Sequence, residues 1–367
     1  MLKDKIKIIH IITSLNIGGA EKLLLDLTQN IGREKHEVKV ATVIKGGVLV
    51  SEFEKAGIEV KIFKKKGKLG MGVIWKIFRY LRREKPQIVH THLFGGDTWG
   101  RIAAILARVP IIISTEHNTN IDEGISKRIV KKFLSFFTAK IIAVSEAVKK
   151  YSIQKDHISG KEMEVILNGV QMNKFLSISQ KEFGDPPIIG IVGRLEEQKG
   201  HKYLFEALNL LKVIPWTLWI IGEGSRRAEL ERLAKNLDLR ERVMFLGVRD
   251  NIPEILDKMD IFVLPSLWEG LSLALVEAAA SAKPIVASKI GGIEEIVENE
   301  KTGLLIEPKN VKSLTDGLER ILLGEEDALK MGRSARAYVK DNFDIKKMVK
   351  KYEEAYNKLL VYKHIEI

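Results

Sequence analysis

Two glutamates eight positions apart, in Glu269-Gly-Leu-Ser-Leu-Ala-Leu-Val-Glu277, carry the densest chemistry in this chain. Upstream, Asp260-Ile-Phe-Val-Leu-Pro265 is a short apolar run rich in β-formers and stopped by proline, which reads as a buried strand. Downstream, Leu273 to Ala282 is dominated by helix formers until Pro284. Glu269 therefore belongs to a loop and Glu277 lies a little over a turn inside a helix. The backbone N–H groups of Gly270, Leu271 and Ser272 are expected among the unpaired donors of the helix start, where the macrodipole favours an anion. Helical side chains tilt toward the N-terminus, so Glu277 can aim back at the mouth and accept two hydrogen bonds from a vicinal diol such as a ribose. Either glutamate alone could equally be a capping carboxylate or part of a solvated helix face. A second cluster gives the pair its meaning: Ile188-Ile-Gly-Ile-Val-Gly193-Arg194-Leu-Glu-Glu-Gln-Lys199-Gly200. Here an apolar strand runs into a loop where glycine admits close backbone approach, and one guanidinium and one ammonium can neutralise a diphosphate. That is leaving-group chemistry.

The elements that must position these residues are legible as an alternation of strands and helices. In the first half the candidate strands are 5–12, 37–43, 59–63, 87–90, 111–116 and 140–144, and in the second 188–192, 217–221, 243–246, 261–264, 284–287 and 303–306. Helical stretches between them argue for two parallel, doubly wound sheets. A chain of 367 residues exceeds the usual single core. The expected division is a first domain over 1–170, a polar, proline-closed linker over 171–187 and a second domain over 188–344, with an amphipathic helix over 345–362. Ligands of open parallel sheets sit beyond the carboxyl ends of the strands. Gly18, Gly19, His90, His92, His117, Ser145, Arg194, Lys199, Gly222 and Glu269 all occupy such positions, in both halves, so the cleft between the domains is the expected site. Gly18 and Gly19 can bring amides against nucleotide phosphates, or simply make a turn. Of His90 and His92, only one is expected to face the cleft, and His92 is favoured. Ser145 reads as a helix N-cap. Gly222-Glu223-Gly224 imitates a dinucleotide fingerprint, but Arg227 stands where its third glycine belongs, which disfavours a nicotinamide oxidoreductase.

Together with the glutamate pair, Gly193-Arg-Leu…Lys199-Gly200 resembles the nucleotide-sugar half of the retaining glycosyltransferases of family 4, and the resemblance spans nearly the whole chain. It includes Ile17-Gly18-Gly19-Ala20-Glu21, Thr115-Glu-His117-Asn118, Ala143-Val-Ser145-Glu, Asn168-Gly169-Val170, Phe245-Leu-Gly247, Gly291-Gly292-Ile-Glu-Glu and Gly303-Leu-Leu-Ile. The resemblance implies the two-domain GT-B fold, two Rossmann-like domains facing across a cleft, with the C-terminal helix crossing back onto the first. It implies retaining transfer from a nucleoside-diphosphate sugar, UDP being the commonest choice, to a hydroxyl acceptor. Arg194 and Lys199 would hold the diphosphate in place of a metal. Glu269 with the amides of Gly270 to Ser272 would hold sugar hydroxyls and the α-phosphate, while Glu277 grips the ribose. His117 would contact the sugar from the acceptor domain. Gly193 and Gly222 would line the nucleotide, with the base near Gly247, Val248 and Arg249. Neither a cofactor nor a metal is expected. Relatives with other chemistry, a nucleotide-sugar epimerase or a phosphorylase, remain alternatives, as does a non-catalytic polyanion-binding scaffold.

Composition is that of an ordinary globular protein, 45% hydrophobic and 29% charged. The absence of cysteine rules out disulfides and thiolate metal sites and suits a reducing compartment, and the eight histidines show no metal-ligand spacing. No signal-peptide pattern opens the sequence, and no apolar run approaches the ~20 residues of a membrane span. Charge is uneven. Residues 1–175 carry 31 Lys and Arg against 17 Asp and Glu, a charge of +14; the whole chain is +12, so the remainder is −2. The excess concentrates in Lys61–Lys68 and in two stretches of helical spacing, Trp75–Arg83 and Ser126–Phe137. In these, Trp75, Phe78 and Leu81, or Ile129, Phe133 and Phe136/Phe137, share faces. Basic amphipathic helices with aromatics suit an anionic membrane surface, although the aromatics could equally be core. The expectation is a cytoplasmic enzyme, peripheral on the inner membrane face, acting on a lipid-linked acceptor in surface polysaccharide or lipopolysaccharide synthesis. No nucleic-acid-binding module is recognisable.

Overall fold

The computed structural model describes residues 5–65, 70–119, 123–175 and 182–365. Lys66 and Lys68 of the basic run and residues 176–181 of the expected linker lie outside them. The chain divides into two compact units, 1–169 with 345–367, and 170–344.

The first unit is built on seven parallel strands, β1 (Ile6–Ile12), β2 (His36–Thr42), β3 (Glu59–Ile62), β4 (Ile88–His92), β5 (Ile111–Glu116), β6 (Lys140–Ala143) and β7 (Met163–Val165), in the order β3-β2-β1-β4-β5-β6-β7. The isoleucine and valine runs of β1, β4 and β5 are buried along nearly their full lengths, as strands covered by helices on both faces must be. β7 escapes sequence reading because it has three residues with a glutamate in the middle; its pairing with β6 recruits it. Within the expected linker, Met172–Phe175 forms a short 3₁₀ turn in which Met172 and Phe175 are buried. The C-terminal helix Ile345–Tyr362 belongs to the first unit, burying Tyr352, Tyr356 and Leu360. There Glu353 accepts a hydrogen bond from the Gly32 amide at 2.9 Å.

The second unit holds six parallel strands, β8 (Ile188–Val192), β9 (Thr217–Ile221), β10 (Val243–Gly247), β11 (Ile261–Leu264), β12 (Ile285–Ser288) and β13 (Leu304–Ile306), ordered β10-β9-β8-β11-β12-β13. Ile189, Ile191, Ile261 and Val263 meet Leu204, Phe205, Leu208 and Trp216 in its core. Both sheets reverse winding direction beside their first strand, at β1/β4 and at β8/β11. Those switch points are where a doubly wound sheet leaves a crevice beyond its strand ends.

Candidate active site

In the second unit the crevice at β8/β11 brings together the two residue clusters. The loop after β8 carries Gly193, Arg194 and Lys199, and the loop after β11 carries Glu269. Three contacts stitch the loops. The Leu267 amide donates to the Gln198 carbonyl (2.7 Å), the Gln198 side-chain amide donates to the Trp268 carbonyl (2.9 Å), and Gly200, at φ +67°, packs so closely on the Pro265 carbonyl that a Cβ would collide with it. Lys199 Nζ donates to Glu269 Oε1 at 2.5 Å, and the Ser266 hydroxyl donates to the same oxygen at 3.0 Å. The two side chains are 12% and 8% exposed, so a cation and an acid are held together out of most of the solvent. The stem of Lys199 lies across Gly193, where an added Cβ would sit 2.9 Å from Lys199 Cε. Arg194, exposed on the same loop, donates to Gln198 Oε1 at 3.2 Å.

The helix after Glu269 runs Leu273–Ala280, with the Ser272 hydroxyl accepting from the Leu275 amide as its N-cap. Its first turn begins at Leu273, where the run of helix formers begins. The amides of Gly270 and Leu271 lie ahead of the cap, because Ser272 competes successfully for the cap position. Glu277 is half-buried a little over one turn in. Gly222 has φ +137°, and a Cβ there would collide with the Gly193 carbonyl; the lack of a side chain serves the packing of the β8 and β9 loops. Gly247 ends β10, the edge strand, and Val248 and Arg249 follow it, exposed.

In the first unit, Gly18 and Gly19 open the helix Gly19–Asn30 after β1, and the Glu21 carboxylate folds back over Gly18, placing an acid where a phosphate was expected. His90 and His92 do not face opposite ways. Residues two apart on a strand share a face, and both are buried there beside His10 of β1. His92 Nδ1 lies 3.2 Å from His117 Nε2. Burial pushes His117 down to about 4, against the opposing charge of Asp97, so it is neutral at pH 7. His117 borders a cavity of about 80 Å³ with Thr115, Glu116, Asn118, Asp97 and Lys131. Lys131 is buried among Glu123 (2.9 Å), Glu116 (3.1 Å) and Asp156 (3.6 Å). Burial opposes its charge, yet these carboxylates hold it above the usual lysine range. Ser145 caps the helix Glu146–Lys155, accepting from the Val148 amide at 3.1 Å.

The two basic helices differ. Met71–Glu84 sinks Val73, Ile77, Tyr80 and Leu81 into the core, so Leu81 does not share the exposed face of Trp75. By contrast Ile125, Ile129, Phe133, Phe136 and Phe137 form an exposed stripe along and just past Ile125–Ser135, flanked by Lys127 and Lys132.

Gln198, Ser266 and His10 escaped sequence reading. Only His10 left a signal there, as a lone imidazole among isoleucines.

Two Rossmann-like units, the second with a cation and a carboxylate paired at its switch point, make up the GT-B fold. Residues 17–174 match the family model for Glycosyltransferase Family 4, and residues 173–338 that for Glycosyl transferases group 1. The chain belongs to this family of glycosyltransferases. It is 33% identical over 308 residues to the Escherichia coli UDP-Gal:α-D-GlcNAc-diphosphoundecaprenol α-1,3-galactosyltransferase, covering 78% of this chain and 79% of that one. It is 30% identical over 269 residues to a Campylobacter jejuni N-acetylgalactosaminyltransferase acting on a diphospho-undecaprenol-linked saccharide, covering 71% of this chain and 70% of that one. The crystal structure of Anabaena HepE with UDP and glucose superposes with a TM-score of 0.87 at 23% identity, over 96% of this chain and 100% of that one.

Proposed function

We propose that this chain moves a sugar from a UDP-sugar to a hydroxyl of a saccharide carried on a lipid diphosphate, with retention of configuration and without a metal or other cofactor. The Lys199–Glu269 pair at the β8/β11 crevice, with Arg194 on the same loop, carries the reading. As the anomeric C–O bond stretches, negative charge grows on the departing phosphate oxygen; a preorganised ammonium stabilises it where little water competes, and the more exposed guanidinium of Arg194 adds its charge. Glu269 orients the ammonium, whose two remaining donors are left for phosphate. The acceptor hydroxyl attacks from the same face and passes its proton to the leaving phosphate oxygen. One C–O bond forms, one breaks, and UDP leaves with the proton. The cavity beside His117 takes a saccharide hydroxyl, Glu277 the ribose, and the chain around Gly247, Val248 and Arg249 the base. UDP as the nucleotide is supported by the E. coli relative's donor and by the UDP held in Anabaena HepE; the relatives' acceptors support the lipid diphosphate.

Incubation with UDP-, GDP- and ADP-sugars and a polyprenyl-diphosphate saccharide, with chelator present, tests this. The expected result is transfer from a UDP-sugar with an α-linked product and a thermal shift with UDP. An absolute need for a divalent cation, or an inverted product, would overturn it. Glu277→Gln should weaken UDP binding by roughly tenfold, about 1.4 kcal/mol, by removing a charge-assisted acceptor. Calorimetric titration showing unchanged UDP affinity would remove its ribose role.

Among the described residues no helix is long and apolar enough to cross a membrane. We place the enzyme at an anionic membrane surface, on the cytoplasmic side, through the exposed stripe Ile129, Phe133 and Phe137. Lys131, in its cage of carboxylates, takes no part. Replacing the three stripe residues with Ser, which disturbs no core, should cut partitioning onto phosphatidylglycerol vesicles by roughly tenfold or more. Unaltered co-sedimentation would count against the docking face.

A further inference from the structure

His10, His90 and His92 have no part in the mechanism above, although they are buried at or below 1% exposure in strands rich in isoleucine and valine. Strand register sets His10 directly beside His90, and His92 shares their face two residues on. The polar atoms form a line. His117 Nε2 lies 3.2 Å from His92 Nδ1, and His92 Nε2 lies 3.0 Å from His10 Nδ1. His10 Nε2 is buried and unpartnered among the described residues. His90 stands aside from the line, its two nitrogens each 2.7 Å from Thr115 Oγ1 and the Tyr356 hydroxyl.

We propose that His92 and His10 are positioning residues which hold His117 as the tautomer protonated on Nδ1, so that it meets a bound saccharide as a hydrogen-bond donor. The proposal rests on the reading that His117 faces a saccharide.

A neutral imidazole has one donor and one acceptor, and the nitrogen that carries the proton is set by the partner of the other. The line can therefore run in only two senses. In one, His10 Nδ1–H donates to His92 Nε2, His92 Nδ1–H donates to His117 Nε2, and the His117 proton sits on Nδ1. The group left over is then a lone pair on His10 Nε2. In the other, every bond reverses, and the group left over is a buried His10 N–H with no acceptor. Orphaned buried N–H groups are the rarer and costlier defect, so the first sense prevails. The direction is set only while the rings are neutral, because a doubly protonated His92 would donate at both ends and a doubly protonated His117 would donate from Nε2 as well as Nδ1. Burial keeps the rings neutral, lowering His10 to about 3 and His117 to about 4, with His90 and His92 well below the ordinary histidine value.

The same three buried rings place a ligand atom each within 4.8 Å of one another, as a transition metal would require. Five of their six nitrogens already have hydrogen-bond partners, which a metal would have to displace. The hydrogen-bonded line is therefore the better account.

Long-range ¹H–¹⁵N correlation spectra of the full chain labelled in histidine, at pH 7.5 and with the His117 signals assigned through His117→Gln, test the proposal without any change at His92. The expected spectrum has His117 protonated on Nδ1. Protonation on Nε2 would overturn the proposal, as would tight binding of one zinc ion per chain that His10→Gln abolishes. His92→Phe should mix the two tautomers and lower kcat about tenfold with the donor KM unchanged, the scale of loss when a supporting hydrogen bond is removed. His92→Asn, whose amide nitrogen can stand where Nδ1 stood, should restore much of kcat. Unchanged tautomer and kcat in His92→Phe would also overturn it. Full transfer by His117→Gln would instead remove the assigned role of His117, while leaving the tautomer result intact.

Discussion

Lys199→Met is expected to lower kcat/KM about 10²- to 10³-fold, the scale found when one preorganised donor to a developing negative charge is lost, roughly 3–4 kcal/mol. The ammonium is aimed by its neighbours. Its stem lies across Gly193 and its head is held by Glu269 at 2.5 Å, so little reorganisation is needed when phosphate charge grows. The same substitution should destabilise the protein. Glu269, at 8% exposure, keeps the Ser266 hydroxyl but loses its counter-charge, and breaking one side of a mostly buried pair costs about 3 kcal/mol. The two effects separate in Lys199→Met/Glu269→Gln. The amide removes the stranded charge and restores most of the melting temperature, while turnover stays low because no cation meets the leaving group. Transfer rates over a range of donor concentrations, together with thermal melts, read both. Near-normal turnover in the single variant would remove the diphosphate assignment.

Gly222→Ala should produce a large loss of stability for a single methyl addition. At φ +137° an L-residue is strained, by about 1–3 kcal/mol, and the new Cβ would also run into the Gly193 backbone carbonyl, which cannot rotate aside as a side chain can. A total near 3 kcal/mol corresponds to a fall in Tm of roughly 6–12 °C for a unit of this size. Any relief must come from moving the loop that supports Lys199, so surviving folded protein should also bind UDP less tightly. Gly193→Ala gives the contrast. Its Cβ meets the flexible Lys199 stem at 2.9 Å, so the fold should tolerate it while the ammonium is displaced. A Gly222→Ala protein melting with the native chain would show that the two loops do not pack as described.

The strands were legible because a buried parallel strand favours an unbroken apolar run, and Ile188–Val192 and Ile261–Leu264 supply one, with Pro265 and glycines as stops. Residue types also announced the cations and acids of the site. What could not be read was partnership. Lys199 and Glu269 are 70 positions apart, and only the placement of β11 beside β8 makes them a pair. Gln198 and Ser266 gave no warning, since a glutamine in a loop and a serine after a proline are ordinary until the two loops meet. The expectation that His90 and His92 divide between faces failed on local geometry that the sequence did contain, the two-residue period of a strand.

The two basic helices mark the boundary most clearly. Met71–Glu84 and Ile125–Ser135 carry the same kind of pattern, aromatics on one side and cations on the other. One packs Ile77 and Leu81 into the core, and the other leaves Ile129 and Phe133 in solvent. The sequence by itself determined the elements, their alternation and hence the doubly wound class, because periodicity, turn residues and helix stops act over a few neighbouring positions. The tertiary structure alone decided which loops meet, which imidazoles line up and which apolar face stays bare. These depend on strand order and on what lies opposite, and no short stretch of chain encodes its own distant neighbour.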